Sequence, residues 1–189
     1  MARRTTRREE LAEAATDYAL EHGLVGLSLR PMAAAIGTSD RMLLYHFTDK
    51  DDLVATLLRV SNDRSVDYVR SLPPSSDVRA GVLTLWRAVT SPALDRCQRL
   101  YVEAAALGLL GKEPYASVVR EANAVWVAAL AAHLVASGMP ADRADRAVVL
   151  VDAAFIGFQL DLPLDPDLAA VEQAVADLAD AVAALQGSA

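Results

Sequence analysis

Arg41, Tyr45 and His46 lie close together in the segment "SDRMLLYHF". On a helix, residues four apart share a face, so Arg41 and Tyr45 stand together. An arginine can grip a phosphate or donate two hydrogen bonds to a guanine edge. Tyrosine and histidine can donate to phosphates or touch thymine methyls. Lys50, at the start of a following helix, adds a charge and free N–H groups suited to a phosphate. This chemistry grips a polyanion and makes no covalent bond. The signatures of catalysis are missing. His22, His46 and His133 have no metal-ligand spacing. There is no glycine-rich phosphate loop, no G-x-S-x-G and no paired-cysteine motif. Asp161, Asp165 and Asp167 lie beside Pro163 and Pro166, without the glycine and closing glutamate of a calcium loop. Cys97 stands alone, which excludes an intrachain disulfide and a cysteine zinc cluster. The chain reads as a non-enzyme with no metal and no cofactor.

Such side chains need a compact unit to hold them. Leu11, Ala15 and Tyr18 form the stripe of a first helix over about 6–21, stopped by Gly23. Leu29, Met32, Ala33 and Ile36 follow at helical spacing, with Pro31 tolerated in the first turn. Gly37 ends that helix, and Ser39 can cap the next, in which Leu43 and Phe47 share a face. The pattern over 28–46 fits a helix-turn-helix: one packing helix, a short turn with glycine, and a second helix exposing one side. An ordinary helical hairpin fits the same spacing. Thr48 can cap a fourth helix, in which Asp49, Asp51 and Asp52 suit the positive N-terminal end. That helix, over about 49–69, reads as the bridge to the rest of the chain.

Beyond the break at "SLPPSSD", the 3.6-residue period continues without strand alternation. One stripe runs from Val78 to Val89, another from Leu94 to Ala104, and a third from Tyr115 to His133. Residues 142–160 are apolar nearly all round, as in a helix buried on several sides. The last helix spaces Leu168, Val171, Val175, Leu178, Val182 and Leu185 by three and four. The expected fold class is all-α, with about nine helices. A three-helix helix-turn-helix unit over 1–50 precedes a larger helical domain over 51–189.

Composition agrees with two regions of different character. The chain of 189 residues carries a net charge of −7. Residues 1–50 hold seven basic and seven acidic side chains, so the whole excess of acid lies beyond them. Four arginines fall in the first eight residues. Hydrophobic content is 53%, and mean hydropathy is +0.23. No apolar run reaches the ~18 residues of a membrane span. No apolar signal core follows the basic start. A cytoplasmic location without membrane attachment is therefore expected.

The segment "TRREELAEAATDYALEHGLVGLSLRPMAAAIGTSDRMLLYHFTDKDDLV" resembles the N-terminal domain of the TetR/AcrR family of transcriptional regulators. The matching features are the stop at Gly23, Ser28-Leu29-Arg30, Met32-Ala33, Gly37-Thr38-Ser39, Tyr45-His46-Phe47, and Lys50 with Leu53 behind it. Two positions depart: Arg41 stands where many members carry glycine, and Leu44 where many carry tyrosine. The resemblance implies a ligand-responsive regulator, a repressor by the family's commoner habit. It would bind a palindromic double-stranded operator as a homodimer and be released by a small molecule. By position, Arg30, Asp40, Arg41 and Met42 match base-facing sites. Ser28, Tyr45, His46 and Lys50 match backbone-contacting ones, with Ser39 at the turn. The N-terminal arginines resemble the flexible basic arm of some members. The alternative is a helical ligand-binding or protein-interaction module that has lost DNA binding.

The resemblance also implies an effector site and a dimer surface in the second half. Trp86, Tyr101, Asn123, Trp126, Asp152, Phe155 and Gln159 put aromatic and polar groups into aliphatic stripes, the mixture of small-molecule sites. Each could equally be core. Asp152 needs a partner if buried, and Arg87, Arg120, Tyr101 or a ligand could supply one. The seam of Leu168, Val171, Val175, Leu178, Val182 and Leu185 suits a partner helix at a shallow angle. With Phe158 and the helix over 142–160 it would build a four-helix bundle with a second copy. The seam could instead pack on its own subunit.

Overall fold

The computed structural model describes residues 2–164 and 168–187, with side chains from Arg7 onward. The side chains of Arg3 and Arg4, and the loop acids Asp165 and Asp167, lie outside the described residues. Among those described there are nine helices and no strand: α1 (Ala2–His22), α2 (Leu29–Ala35), α3 (Asp40–His46), α4 (Lys50–Ser71), α5 (Val78–Val89), α6 (Asp95–Leu109), α7 (Tyr115–Ala136), α8 (Ala141–Asp161) and α9 (Leu168–Ala184). The chain divides into two compact units, residues 1–65 with 95–123, and residues 66–94 with 124–189. The packing boundary therefore does not fall at residue 50.

In the first unit, Leu11 and Ala15 of α1, Met32 of α2, Leu43 of α3 and Leu53 and Leu57 of α4 are buried in one core, joined by Phe47. Leu100 and Ala104 of α6 close it. Thr16, fully buried, stays satisfied by donating to the carbonyl of Ala12 at 2.8 Å. Positive φ is needed at two turns. Gly37, at φ +73°, reverses the chain between α2 and α3. Gly23, at φ +76°, also lies so near Glu103 of α6 that an added Cβ would stand 2.7 Å from its Oε1. Asp49, not Thr48, caps α4: its Oδ1 accepts from the Asp52 amide at 2.8 Å. Asp52 reaches back to accept from the Thr48 amide at 3.0 Å.

In the second unit, α9 packs along α5 and α8. Val82, Leu85 and Val89 of α5, Leu130 and Leu134 of α7, Val148 and Val151 of α8, and Ala179 and Val182 of α9 form its core. This corrects the expected dimer seam. Val175 and Val182 are buried within the single chain, and Leu178 and Leu185 pack against the same core. Phe158 lies against Trp86. Only Leu168 of the seam is exposed, while Val171 is half-buried. Three-four spacing follows from any helix–helix contact, and here the contact is intramolecular.

By length and composition alone α7 is apolar enough to cross a membrane, with mean hydropathy 1.3 over its apolar window, contrary to the sequence expectation. Its Ala129, Leu130 and Leu134 are spent on the core. His133 of the same helix is 6% exposed, and its Nε2 has no partner among the described residues. Burial holds its pKa below the usual histidine range. A lowered folded-state pKa contributes stability above the unfolded value of about 6.5, lost as pH falls through the folded pKa. Urea unfolding from pH 7.5 down to 5.5 should therefore show falling stability, and His133→Leu should flatten the slope. An unchanged slope in the variant would remove His133 from the acid response.

Candidate DNA-reading surface and effector site

Helix α3 is set by three local devices. Ser39 caps α3, its hydroxyl accepting from the Met42 amide at 3.2 Å. Leu43 and Phe47 anchor its inner side at 0% and 1% exposure. Arg8 of α1 closes the far end. Its guanidinium donates to the carbonyl of His46 and to Asp52 Oδ1 and Thr56 Oγ1, each at 3.2 Å. It also stands 4.7 Å from the centre of the Phe47 ring, a cation–π distance. Arg8 is thus a structural clamp. The helix runs from Ala2, and Arg7 pairs with Glu10 at 2.8 Å, so Arg7 and Arg8, expected on a flexible basic arm, stand on α1 instead. The signal lay in the spacing: Arg8 precedes Leu11 and Ala15 on the same stripe.

With the inner side anchored, Asp40, Arg41, Met42, Leu44 and Tyr45 are exposed on α3. Ser28 and Arg30, at the start of α2, are exposed too, and the Ser28 hydroxyl makes no capping bond. Asp40 Oδ1 accepts from the Arg41 amide at 2.9 Å, which turns part of its charge onto its own helix. Lys50 is exposed, yet its Nζ donates to the carbonyl of Leu27 and so also ties down the approach to α2. His46 departs from expectation. It is half-buried, its ring sits edge-on to Tyr45 at 5.2 Å, and its Nδ1 is buried without a partner. Only the Nε2 edge of the ring is left open. The first unit therefore brings all nine sequence-chosen residues to α2, α3 and their flanks.

Glu103, which sequence reasoning passed over, links α6 to this surface. Its carboxylate accepts from the amides of Leu24 and Val25 at 2.6 and 3.0 Å, just ahead of α2. It lines a cleft of about 570 Å³ with Glu21, His22, Asp95, Arg96 and Arg99. The charges there are already matched, Arg99 to Asp95 at 3.0 Å and Arg96 to Glu21 at 3.6 Å.

The effector candidates divide. Tyr101 and Asn123 belong to the first unit, and the other five to the second. Phe155 is core, at 2% exposure. Its ring fixes Trp86 of α5 at 5.2 Å. Gln159 donates to the carbonyl of Val89 at 3.2 Å. Asp152 finds none of the partners named from sequence; Trp126 donates its indole N–H to Oδ1 at 2.9 Å. Burial raises the Asp152 pKa above the usual carboxylate range, and the indole bond offsets part of the rise.

A helix-turn-helix in an all-helical chain with a larger helical body is the architecture of TetR-type transcriptional regulators. Solved structures match it over nearly the whole chain. A transcriptional regulator from Rhodococcus sp. Rha1 is 25% identical, with 93% of this chain and 95% of that one covered and a TM-score of 0.75. A TetR transcription regulator from Haloarcula marismortui shares 18% identity over 96% of this chain and 98% of its own, with a TM-score of 0.70. The multidrug binding protein EbrR, solved with proflavin, is 25% identical, covers 91% and 99%, and gives a TM-score of 0.63. No family model and no curated protein matches the sequence. The chain thus shares the all-helical fold of TetR-type transcriptional regulators. The Rhodococcus and Haloarcula structures are both of transcriptional regulators.

Proposed function

We propose that the chain is a ligand-released repressor, acting in the cytoplasm, that grips a two-fold operator as a homodimer. Residues 1–50 carry the DNA contacts, and 51–189 the effector and dimer functions. The observation that carries this reading is the exposed face of α3. Arg41, Met42 and Tyr45 point outward from a helix pinned by Ser39, Phe47 and Arg8. Such pinning is what base reading requires, because a loose helix loses bidentate geometry. One short helix reads few base pairs, so two copies must meet half-sites about 34 Å apart.

The surface for that pairing lies on α8. Val149, Leu150, Ala153, Gly157 and Leu160 are all exposed, and Leu150, Ala153, Gly157 and Leu160 recur by three and four. An apolar stripe with small residues at its middle suits a close crossing with its own copy. Effector binding then alters the spacing of the two α3 helices. A coupling of about 1–3 kcal/mol would weaken DNA binding roughly 5–150-fold. EbrR, a neighbour in fold, was solved with proflavin, which supports a small-molecule effector here.

The test is Arg41→Ala against duplexes selected from a random pool by the wild-type chain. The expected loss is about 1–3 kcal/mol, with relaxed preference at one base position. A wild-type chain that selects no duplex at low salt would sink the regulator reading and favour a helical module without DNA binding.

A further inference from the structure

Asp152 and Phe155 lie three residues apart on α8 and so share one side of the helix. Trp126 bonds one oxygen of the carboxylate, Oδ1. Among the described residues Oδ2 has no partner, and it is not sealed from solvent. No cationic side chain among the described residues pairs with it. Phe155, buried, holds the Trp86 ring at 5.2 Å, and Phe158 meets the same ring edge-on at 5.8 Å. Both tryptophans remain half-buried, so part of each indole lies at the surface of this unit. A half-buried carboxylate bonded to one indole, on the same side of α8 as the phenyl ring that holds the second, attracts positive charge by two independent means, ion pairing and the ring quadrupole. An anion would meet repulsion from the carboxylate and from the ring faces alike. A neutral ligand would leave the carboxylate uncompensated.

We infer that the effector is a compact organic cation, an amidinium or protonated amine on a flat apolar body. Its N–H groups bond Oδ2 of Asp152, and its body lies against Trp86 and Trp126. The inference deepens the effector part of the proposed function and rests on it. Phe155 is a positioning residue, which sets Trp86 without meeting the ligand.

The protein reports on this site directly, because Trp86 and Trp126 are its only tryptophans. The experiment titrates the full chain with benzamidine and with benzamide, two flat molecules of one shape that differ in charge, and follows tryptophan emission. Benzamidine should bind about tenfold or more tighter than benzamide, as charge-assisted bonding in a half-buried site predicts. Asp152→Asn, which can still accept from the Trp126 indole, should bring the two affinities together. Asp152→Glu should keep the preference for the cation. Equal affinities in the wild type, absence of benzamidine binding, or a preference that survives in Asp152→Asn would each overturn the inference. The wild-type comparison decides even if a variant does not fold. Duplex binding by the same samples separates the two readings. A chain that selects the cation but ignores DNA keeps this site and loses the regulator; the converse result keeps the regulator and loses this site.

Discussion

Phe47→Ala is expected to cost about 3–5 kcal/mol, as removal of a fully buried aromatic side chain does, and to abolish specific DNA binding. The ring is 1% exposed in the core of the first unit. It also carries the Arg8 guanidinium, so its removal leaves that charge without its aromatic platform. Arg8 would keep its bonds to the His46 carbonyl and Asp52 only by following them into the void. Since α3 is only seven residues long, it has no stability of its own and depends on this packing. Both readouts should therefore move together: a lower midpoint in urea and loss of duplex retention in a gel. Phe47→Leu, which keeps much of the volume, should recover most of the stability. A variant that unfolds at the wild-type midpoint would show that the recognition helix is held by other means.

Gly157→Arg is expected to act in the opposite way, on assembly and not on the fold. Gly157 is exposed on α8, and an added Cβ would meet nothing within 4 Å in the single chain. Arginine is moreover the better helix former by up to about 1 kcal/mol. The monomer should therefore tolerate it. Two copies crossing closely at Ala153 and Gly157 would not, because each would bring a charged side chain into the apolar contact. Light scattering should report the monomer mass. Operator affinity should fall by about a thousandfold, toward non-specific binding, since each monomer then reads one half-site alone. Any dimer-linked gain in melting temperature should also lose its dependence on protein concentration. Unchanged mass with unchanged operator affinity would place the twofold contact elsewhere or remove it.

Much of the first unit was legible because its signals are local. Glycine at Gly23 and Gly37, the cap at Ser39 and the stripe of Leu11 and Ala15 each act within a few residues of where they stand, and the helices fall there. The cap of α4 was misplaced by one residue, because Thr48 and Asp49 offer equivalent oxygens and only the backbone path selects Asp49. Sequence alone assigns Arg8 to a loose arm, since a charge on an apolar stripe looks solvated until the ring of Phe47 and the carboxylate of Asp52 arrive. Glu103 carries no local signal for the same reason. Its partners, the amides of Leu24 and Val25, lie far away in sequence and carry no side-chain signature.

Sequence alone determined that this chain is helical, roughly where its helices break, and which side of α3 is apolar. Periodicity, caps and breakers operate over a few residues, within reach of the local chain. Tertiary structure decided what those sides meet. The regular seam of α9 packs on α5 and α8 of its own subunit, leaving the outward stripe to α8. The carboxylate of Asp152 took an indole N–H in place of an arginine. Helical periodicity tells that a face must be covered, but the covering surface is chosen by contacts between distant segments, whose energies depend on the assembled geometry.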